Sequence, residues 1–195
     1  MTTAWDVAVV GAGAAGLLVA ARAAERGRRV ILIEKNPKAG VKILMSGGTR
    51  CNLTHAVSAR EIVAAFGRQG VFLHSALAAF GPSDLVSLIE AEGVPTKTEP
   101  GGKIFPASDR AVDVRDALLR RLQRSSAELV LGEPVSRIQL QSDQANGFVV
   151  ETCRRELQVQ HIVLATGGQS YPGCGTTGDG YAWAKTLGHT IVPTR

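Results

Sequence analysis

The stretch that decides the fold is WDVAVVGAGAAGLLVAARAAERGRRVILIEK, Trp5 to Lys35. It opens on WDVAVV, a short β-branched run that fits a buried strand. GAGAAG follows at once, then LLVAARAAERG, an alanine-rich stretch suited to a helix and closed by Gly27. RVILIEK is continuously apolar, as a strand covered on both faces is. Together these predict a strand–helix–strand unit, the beginning of an α/β fold with a parallel sheet.

Within it, Gly11, Gly13 and Gly16 spell G-x-G-x-x-G directly after a strand and at the opening of a helix. Gly11 permits the tight turn, Gly13 lets a pyrophosphate approach the backbone, and Gly16 lets helix and strand pack closely. Free N–H groups at the helix start, where Ala14 and Ala15 lie, favour negative charge there. Glu34 ends the second strand eighteen positions after Gly16. That is close to the roughly 20 residues expected of the acidic partner that accepts hydrogen bonds from ribose hydroxyls. An acidic residue here disfavours a 2′-phosphate, so the first site is predicted to take an adenine dinucleotide other than NADP. FAD and NAD both remain open at this point.

After Lys35 the alternation stops. A loop from Asn36 to Asn52 contains KILMSGGTRCN, and a helical excursion runs from about Ser58 to Gly93 with Pro82 at a helix start. TEPGGKIFPASD then leads into a helix over Arg110 to Arg124, and AELVLGE is the third parallel strand. Val135 to Gln141 and Phe148 to Cys153 read as strands joined through DQANG, whose Asn146-Gly147 is a hairpin signal. Leu157 to Gln160 is a further short strand, and HIVLATGG a buried strand ending in glycines. An antiparallel meander thus stands where a crossover helix would be expected. In KILMSGGTRCN, Gly47 and Gly48 allow close backbone approach, Ser46 can hydrogen-bond, and Lys42 and Arg50 can neutralise phosphate or polarise a flavin. Read alone, the segment is equally an exposed loop.

The bulk properties are those of an ordinary globular chain. Its 195 residues suit one domain, or one and an incomplete second, with 45% apolar and 20% charged residues. The net charge of +5 is spread out. Its densest run, Arg110, Arg115, Arg120, Arg121 and Arg124, has the spacing of a solvated helix face and no interleaved aromatics, which argues against nucleic acid as a partner. Cys51, Cys153 and Cys174 show no CxxC spacing, so neither a disulfide framework nor a zinc site is expected. Val7 to Ala21 is apolar, but Asp6 precedes it, glycines interrupt it and Arg22 ends it early. A cytoplasmic protein without a membrane span is the expectation.

GAGAAG, the acidic strand end, KILMSGGTRCN, GGKIFPASDRAVDV and LATGGQSYPGCGTTGDGYAWAKTLGH occur in the order and spacing of one known group. The chain resembles the BaiN/RdsA-type NAD(P)/FAD-dependent oxidoreductases from about residue 5 to 195. The resemblance implies a Rossmann-like FAD-binding domain of the two-dinucleotide-binding flavoprotein type, with FAD as cofactor and NAD(P)H as reductant. It implies cofactor contacts from Gly11, Gly13, Ala15, Gly16, Glu34, Lys35, Lys42, Ser46, Gly47, Arg50, Cys51 and Asn52. Val135 would touch adenine through its backbone, and Ala165, Thr166 and Gly167 would pass close to the cofactor. Thr49 stands where the family usually has glycine, and Gly173-Cys174 replace a usual lysine and threonine. Family members are about twice as long, with an inserted β-rich domain and a C-terminal flavin segment, so the chain resembles their N-terminal half.

The resemblance implies hydride transfer from NAD(P)H through flavin to a small organic acceptor. The alternatives are a catalytically inactive nucleotide-binding fragment and an RNA-modifying flavoprotein. No general acid or base is assigned, since flavin does the electron transfer in such enzymes. Cys51 lacks the nearby second cysteine of disulfide reductases and is expected to pack or touch cofactor. Cys174 lies in a glycine-rich loop expected to be exposed, with no activating partner, and Asp179 is read as a turn or capping residue.

Overall fold

β1 (Trp5–Val10) and β2 (Val30–Glu34) pair in parallel, from Val7 opposite Val30 to Val10 opposite Ile33. The structure, a computed structural model, describes residues 5–141 and 147–193. Every residue of β2 is buried. At about 1.5–3 kcal/mol for each fully buried large aliphatic side chain, that is where a continuous apolar run is most stabilising. Between the two strands α1 (Ala14–Glu25) buries Gly16, Leu17, Ala20 and Ala21, one face at helical spacing. It ends at Gly27, whose φ of +78° suits glycine and whose N–H donates to Ala24 O.

β6 (Glu128–Leu131) adds to β2 in parallel and β9 (Glu156–Leu164) adds to the far side of β1, also in parallel. β7 (Val135–Leu140) and β8 (Phe148–Thr152) pair antiparallel, and β8 pairs antiparallel with β9. The sheet order is β6-β2-β1-β9-β8-β7. It is a Rossmann-type sheet, mostly parallel, with the expected antiparallel meander at one edge. The turn at Asn146 lies outside the described residues, although the strands it was predicted to join do pair, Leu140 opposite Phe148. The core of this sheet collects Trp5, Ala8, Val10, Ile31, Ile33, Ile138, Val150, Leu157 and Val159.

One sequence reading is corrected here. The two predicted strands at 157–160 and from His161 onward are a single strand, β9. Its first half pairs with β8 as far as Val159 and its second half with β1 from Val159 to Leu164, so one strand runs through Gln160-His161. The second half is only half-buried, with His161 exposed.

The chain divides into two compact units, residues 43–118 and the remainder. In the first of these, α3 (Ala59–Ala65) starts at a capping box in which Ser58 and Glu61 satisfy each other's backbone N–H groups. A 3₁₀ turn, Gly67–Leu73, leads to α4 (His74–Ala79), and α5 (Pro82–Ala91) has its proline at the expected helix start. Strands β3 (Thr54–His55), β4 (Thr96–Thr98) and β5 (Lys103–Pro106) form a small antiparallel sheet in the order β3-β5-β4. The sequence reading had treated this region as a Gly/Pro-rich connection. Its hairpin turns on Gly101 and Gly102, both at positive φ.

α6 (Ala111–Arg124) matches its predicted span, and α7 (Asp179–Thr186) follows the last strand. A helix α2 (Val41–Met45) interrupts what was read as continuous loop. Of the α6 arginines, Arg121 departs from the solvated-face expectation: its Nε and Nη2 both lie 2.8 Å from the Glu25 carboxylate on α1. Among the described residues no single helix is long and apolar enough to cross a membrane.

Candidate nucleotide site and the second glycine loop

Close packing explains two of the three fingerprint glycines. A Cβ at Gly16 would lie 1.8 Å from Gly11 O, and one at Gly11, where φ is +103°, 2.6 Å from Ala165 O. The turn after β1, the start of α1 and the end of β9 therefore meet backbone to backbone. Ala165 N–H donates to Val10 O at 2.8 Å, which seats Ala165 beside the turn. Gly13 is different. A Cβ there would have nothing within 4 Å, although Gly13 is the residue from which α1 starts. No side chain caps that helix end, and Ala14 and Ala15 are exposed. Open space in front of uncapped N–H groups is what an anion needs.

Glu34 is buried, and its carboxylate is shared between neighbours. Oε2 accepts from Ala12 N–H at 2.7 Å, and Oε1 accepts from Asn36 N–H at 2.9 Å and Asn36 Nδ2 at 2.8 Å. A carboxylate offers about four acceptor positions, so about one is left for a ribose hydroxyl. The buried charge is thereby tied to the glycine turn rather than left as a surface glutamate.

The segment after β9 is tied to the same strand end. Lys35 Nζ donates to Thr177 Oγ1 at 2.6 Å and to Asp179 Oδ2 at 2.7 Å. That lysine, with a smaller contribution from Thr177, holds the Asp179 carboxyl below its ordinary range. Asn36 Nδ2 also reaches Cys174 O at 3.3 Å, and Lys42 Nζ reaches Thr176 Oγ1 at 3.3 Å. Gly167, at φ +75°, leaves no room for a Cβ, which would meet Thr176 Cγ2 at 2.8 Å, and a Cβ added at Gly180 would likewise collide with Thr166 Oγ1. Val135 opens β7 two residues beyond Glu133, whose N–H donates to Glu34 O. Asp179 is the first residue of α7, but Gly178 is the N-cap and no side chain caps this helix end, so the carboxylate serves as the partner of Lys35 rather than as a cap.

This unit thus brings together Gly11, Gly13, Ala14, Ala15, Gly16, Glu34, Ala165, Thr166 and Gly167. It commits Lys35 and Lys42 to partners in the 176–179 segment. Asn36, Thr176 and the buried Glu133 were missed by sequence reading. Glu133 accepts from Thr152 Oγ1 and Arg155 Nε, a pairing with no local sequence signal. Cys174 is corrected: the 3₁₀ turn Pro172–Cys174 buries it, and Cys153 is the exposed thiol.

The second glycine loop lies in the 43–118 unit. Gly47, Gly48, Thr49 and Cys51 all have positive φ, between +57° and +69°. A Cβ at Gly47 would meet Asn52 N at 2.7 Å and Phe105 Cε1 at 2.9 Å. Thr49, where the resembled family has glycine, therefore occupies a backbone state that suits glycine. Cys51 is buried, and burial pushes its thiol pKa up, partly offset by a hydrogen bond with Ser46. Asn52 Oδ1 is buried with no hydrogen-bond partner among the described residues, an acceptor left for some donor. Arg50 is met by the carboxylates of Glu99 and Asp109 and lies 4.1 Å from the centre of the Phe105 ring.

The family model described as the HI0933-like protein Rossmann domain matches residues 5–194. A ribosomal RNA dihydrouridine synthase of Escherichia coli (strain K12) is 35% identical over 191 residues, 98% of this chain and 46% of that protein. A 3-dehydro-bile acid delta(4,6)-reductase of Clostridium scindens is 32% identical over 96% of this chain and 45% of its own length. The chain therefore spans about half the length of the curated relatives it matches. Among solved structures, the 3-ketosteroid-delta4-(5alpha)-dehydrogenase from Rhodococcus jostii RHA1 shares the fold with a TM-score of 0.64 and 18% identity, over 86% of this chain and 47% of that one.

Proposed function

The chain belongs to the HI0933-like Rossmann family, and from that premise we propose that it is the FAD-binding domain of an oxidoreductase acting on a carbon–carbon double bond conjugated to a carbonyl. The observation that carries the cofactor half of this reading is the open position at Gly13, in front of an uncapped helix start and beside the buried Glu34. The N–H groups of Ala14 and Ala15 would hold the pyrophosphate, Glu34 a ribose hydroxyl, and the Val135 backbone the adenine. For Ser46, Gly47, Cys51 and Asn52 we keep the cofactor contact that the resemblance implies, which the unpartnered Asn52 acceptor supports. When bound, FAD would supply the redox chemistry, taking hydride from NAD(P)H and delivering it to the acceptor.

The substrate class rests on the names of two relatives. A dihydrouridine synthase and a delta(4,6)-reductase of a 3-dehydro bile acid both concern hydrogen on ring C=C bonds that are conjugated to a carbonyl. A second reading is that the double bond belongs to a uracil ring within RNA, favoured by the dihydrouridine synthase name.

The test is an absorbance titration of the purified chain with FAD, followed by NAD(P)H oxidation assays with enone and uridine acceptors. A perturbed, retained flavin spectrum is expected. A chain that leaves the FAD spectrum unperturbed, and is colourless once free FAD is removed, would defeat the reading for this chain. RNA binding that weakens steeply with salt would select the second reading over the first.

A further inference from the structure

Arg50 sits in the middle of a loop whose backbone is held in an unfavourable state. Thr49 and Cys51, on either side of it, are left-handed, as is Asp109 at φ +56°. Left-handed residues with side chains persist only where their surroundings over-determine them. Backbone bonds supply part of this: Cys51 N–H to Ser46 O at 3.0 Å, Ala111 N–H to Thr49 O at 3.0 Å, and Leu53 N–H to Ile104 O at 2.8 Å.

The remainder comes from side chains. Arg50 Nε donates to Asp109 Oδ1 at 2.8 Å, and Nη2 reaches the same oxygen at 2.7 Å. Nη2 also donates to Glu99 Oε1, with Nη1 at 3.4 Å from Oε2. The guanidinium lies over Phe105, and Lys97 pairs with the other Asp109 oxygen. The cluster holds two cations and two carboxylates, so its charges balance. The Asp109 carboxyl is held below its ordinary range, by Lys97 first and then Arg50. An anion brought to this guanidinium would have to displace Glu99 or Asp109, or sit beside them.

We propose that Arg50 is not a ligand-facing cation but the staple of the 46–52 loop, and that Glu99 and Asp109 are positioning residues that hold this loop in shape and its Cys51 thiol sealed. A planar fork spans two carboxylates where an ammonium cannot, so lysine does not substitute. The consequence for binding rests on reading the loop as a cofactor loop; the staple itself does not.

The test compares Asp109→Asn, Glu99→Gln and Arg50→Lys with the parent chain, with three readouts. These are site-resolved alkylation of Cys51 by iodoacetamide, thermal unfolding, and FAD titration. Releasing the staple opens the loop locally, so Cys51 alkylation should rise by about tenfold or more while unfolding stays cooperative. FAD affinity should fall in Asp109→Asn. If Arg50 instead faces the ligand, Asp109→Asn frees it: FAD binding holds or tightens and Cys51 stays within about twofold of the parent. That outcome overturns the proposal. Faster Cys51 alkylation with no change in FAD binding supports the staple and removes the cofactor role of the loop.

Discussion

Replacing Gly13 with alanine separates the fold from the cofactor. The new Cβ meets no protein atom within 4 Å, and φ −76°, ψ −172° is a conformation any residue adopts. Alanine is the poorer helix-capping residue, by a few tenths to about 1 kcal/mol. The restricted unfolded chain returns about 0.4–1 kcal/mol. Stability should therefore change by less than about 1 kcal/mol, a shift in Tm of about 2–4 °C at most for a chain this long. A bound pyrophosphate would be pushed from the helix N–H groups, losing hydrogen bonds to a charged group of about 1.5–3 kcal/mol each. Losing two of these weakens binding by about a hundredfold or more. Gly16→Ala is the control, since its Cβ would lie 1.8 Å from Gly11 O and must displace backbone. Calorimetric titration with FAD and with ADP, alongside thermal melts, reads both effects. A Gly13→Ala chain that binds within threefold of the parent would refute the placement of the pyrophosphate. One that unfolds would refute the claim that the space is open.

Thr49→Gly should stabilise the chain, because a left-handed β-branched residue is relieved of about 1–2 kcal/mol while glycine costs back about 0.5–1 kcal/mol. A net gain of about 0.5–1 kcal/mol in urea unfolding is expected, and a loss would mean the threonine is unstrained. Asp179→Asn tests the Lys35 pair. The Asp179 carboxyl is lower in the folded state, so its contribution is present above the unfolded pKa of about 3.9 and fades as pH falls through the depressed folded value. The Tm gap between parent and variant should be steady near neutrality and narrow below about pH 4. It should be small throughout, since the Asp179 side chain is 39% exposed. A gap that widens in acid would exclude Lys35 as its cause.

The strand–helix–strand unit, the fingerprint turn and the acidic strand end were legible because each depends on residues close in sequence. Apolar periodicity, glycine spacing and β-branching are local physics, and β1, α1 and β2 follow from them. The 3-residue and 4-residue strands β4 and β5 were not legible, since such short strands form only when each finds a partner. The break expected near residue 160 was wrong for the same reason. The run looks like two strands until the fold shows β8 pairing with its first part, to Val159, and β1 with its second, from Val159 on.

For the site, the sequence alone determined which glycines, which carboxylate and which loop to consider. It could not decide what each charged side chain does, because that depends on partners far along the chain. Lys35 is joined to Asp179 across 144 positions, Lys42 to Thr176 across 134, and Arg50 to Glu99 and Asp109 across 49 and 59. A cation's role is set by the charge it faces, and only the tertiary structure brings that charge to it. Gly13 is the counter-case. What matters there is the space that no residue fills, and that too is a property of the folded chain rather than of the motif.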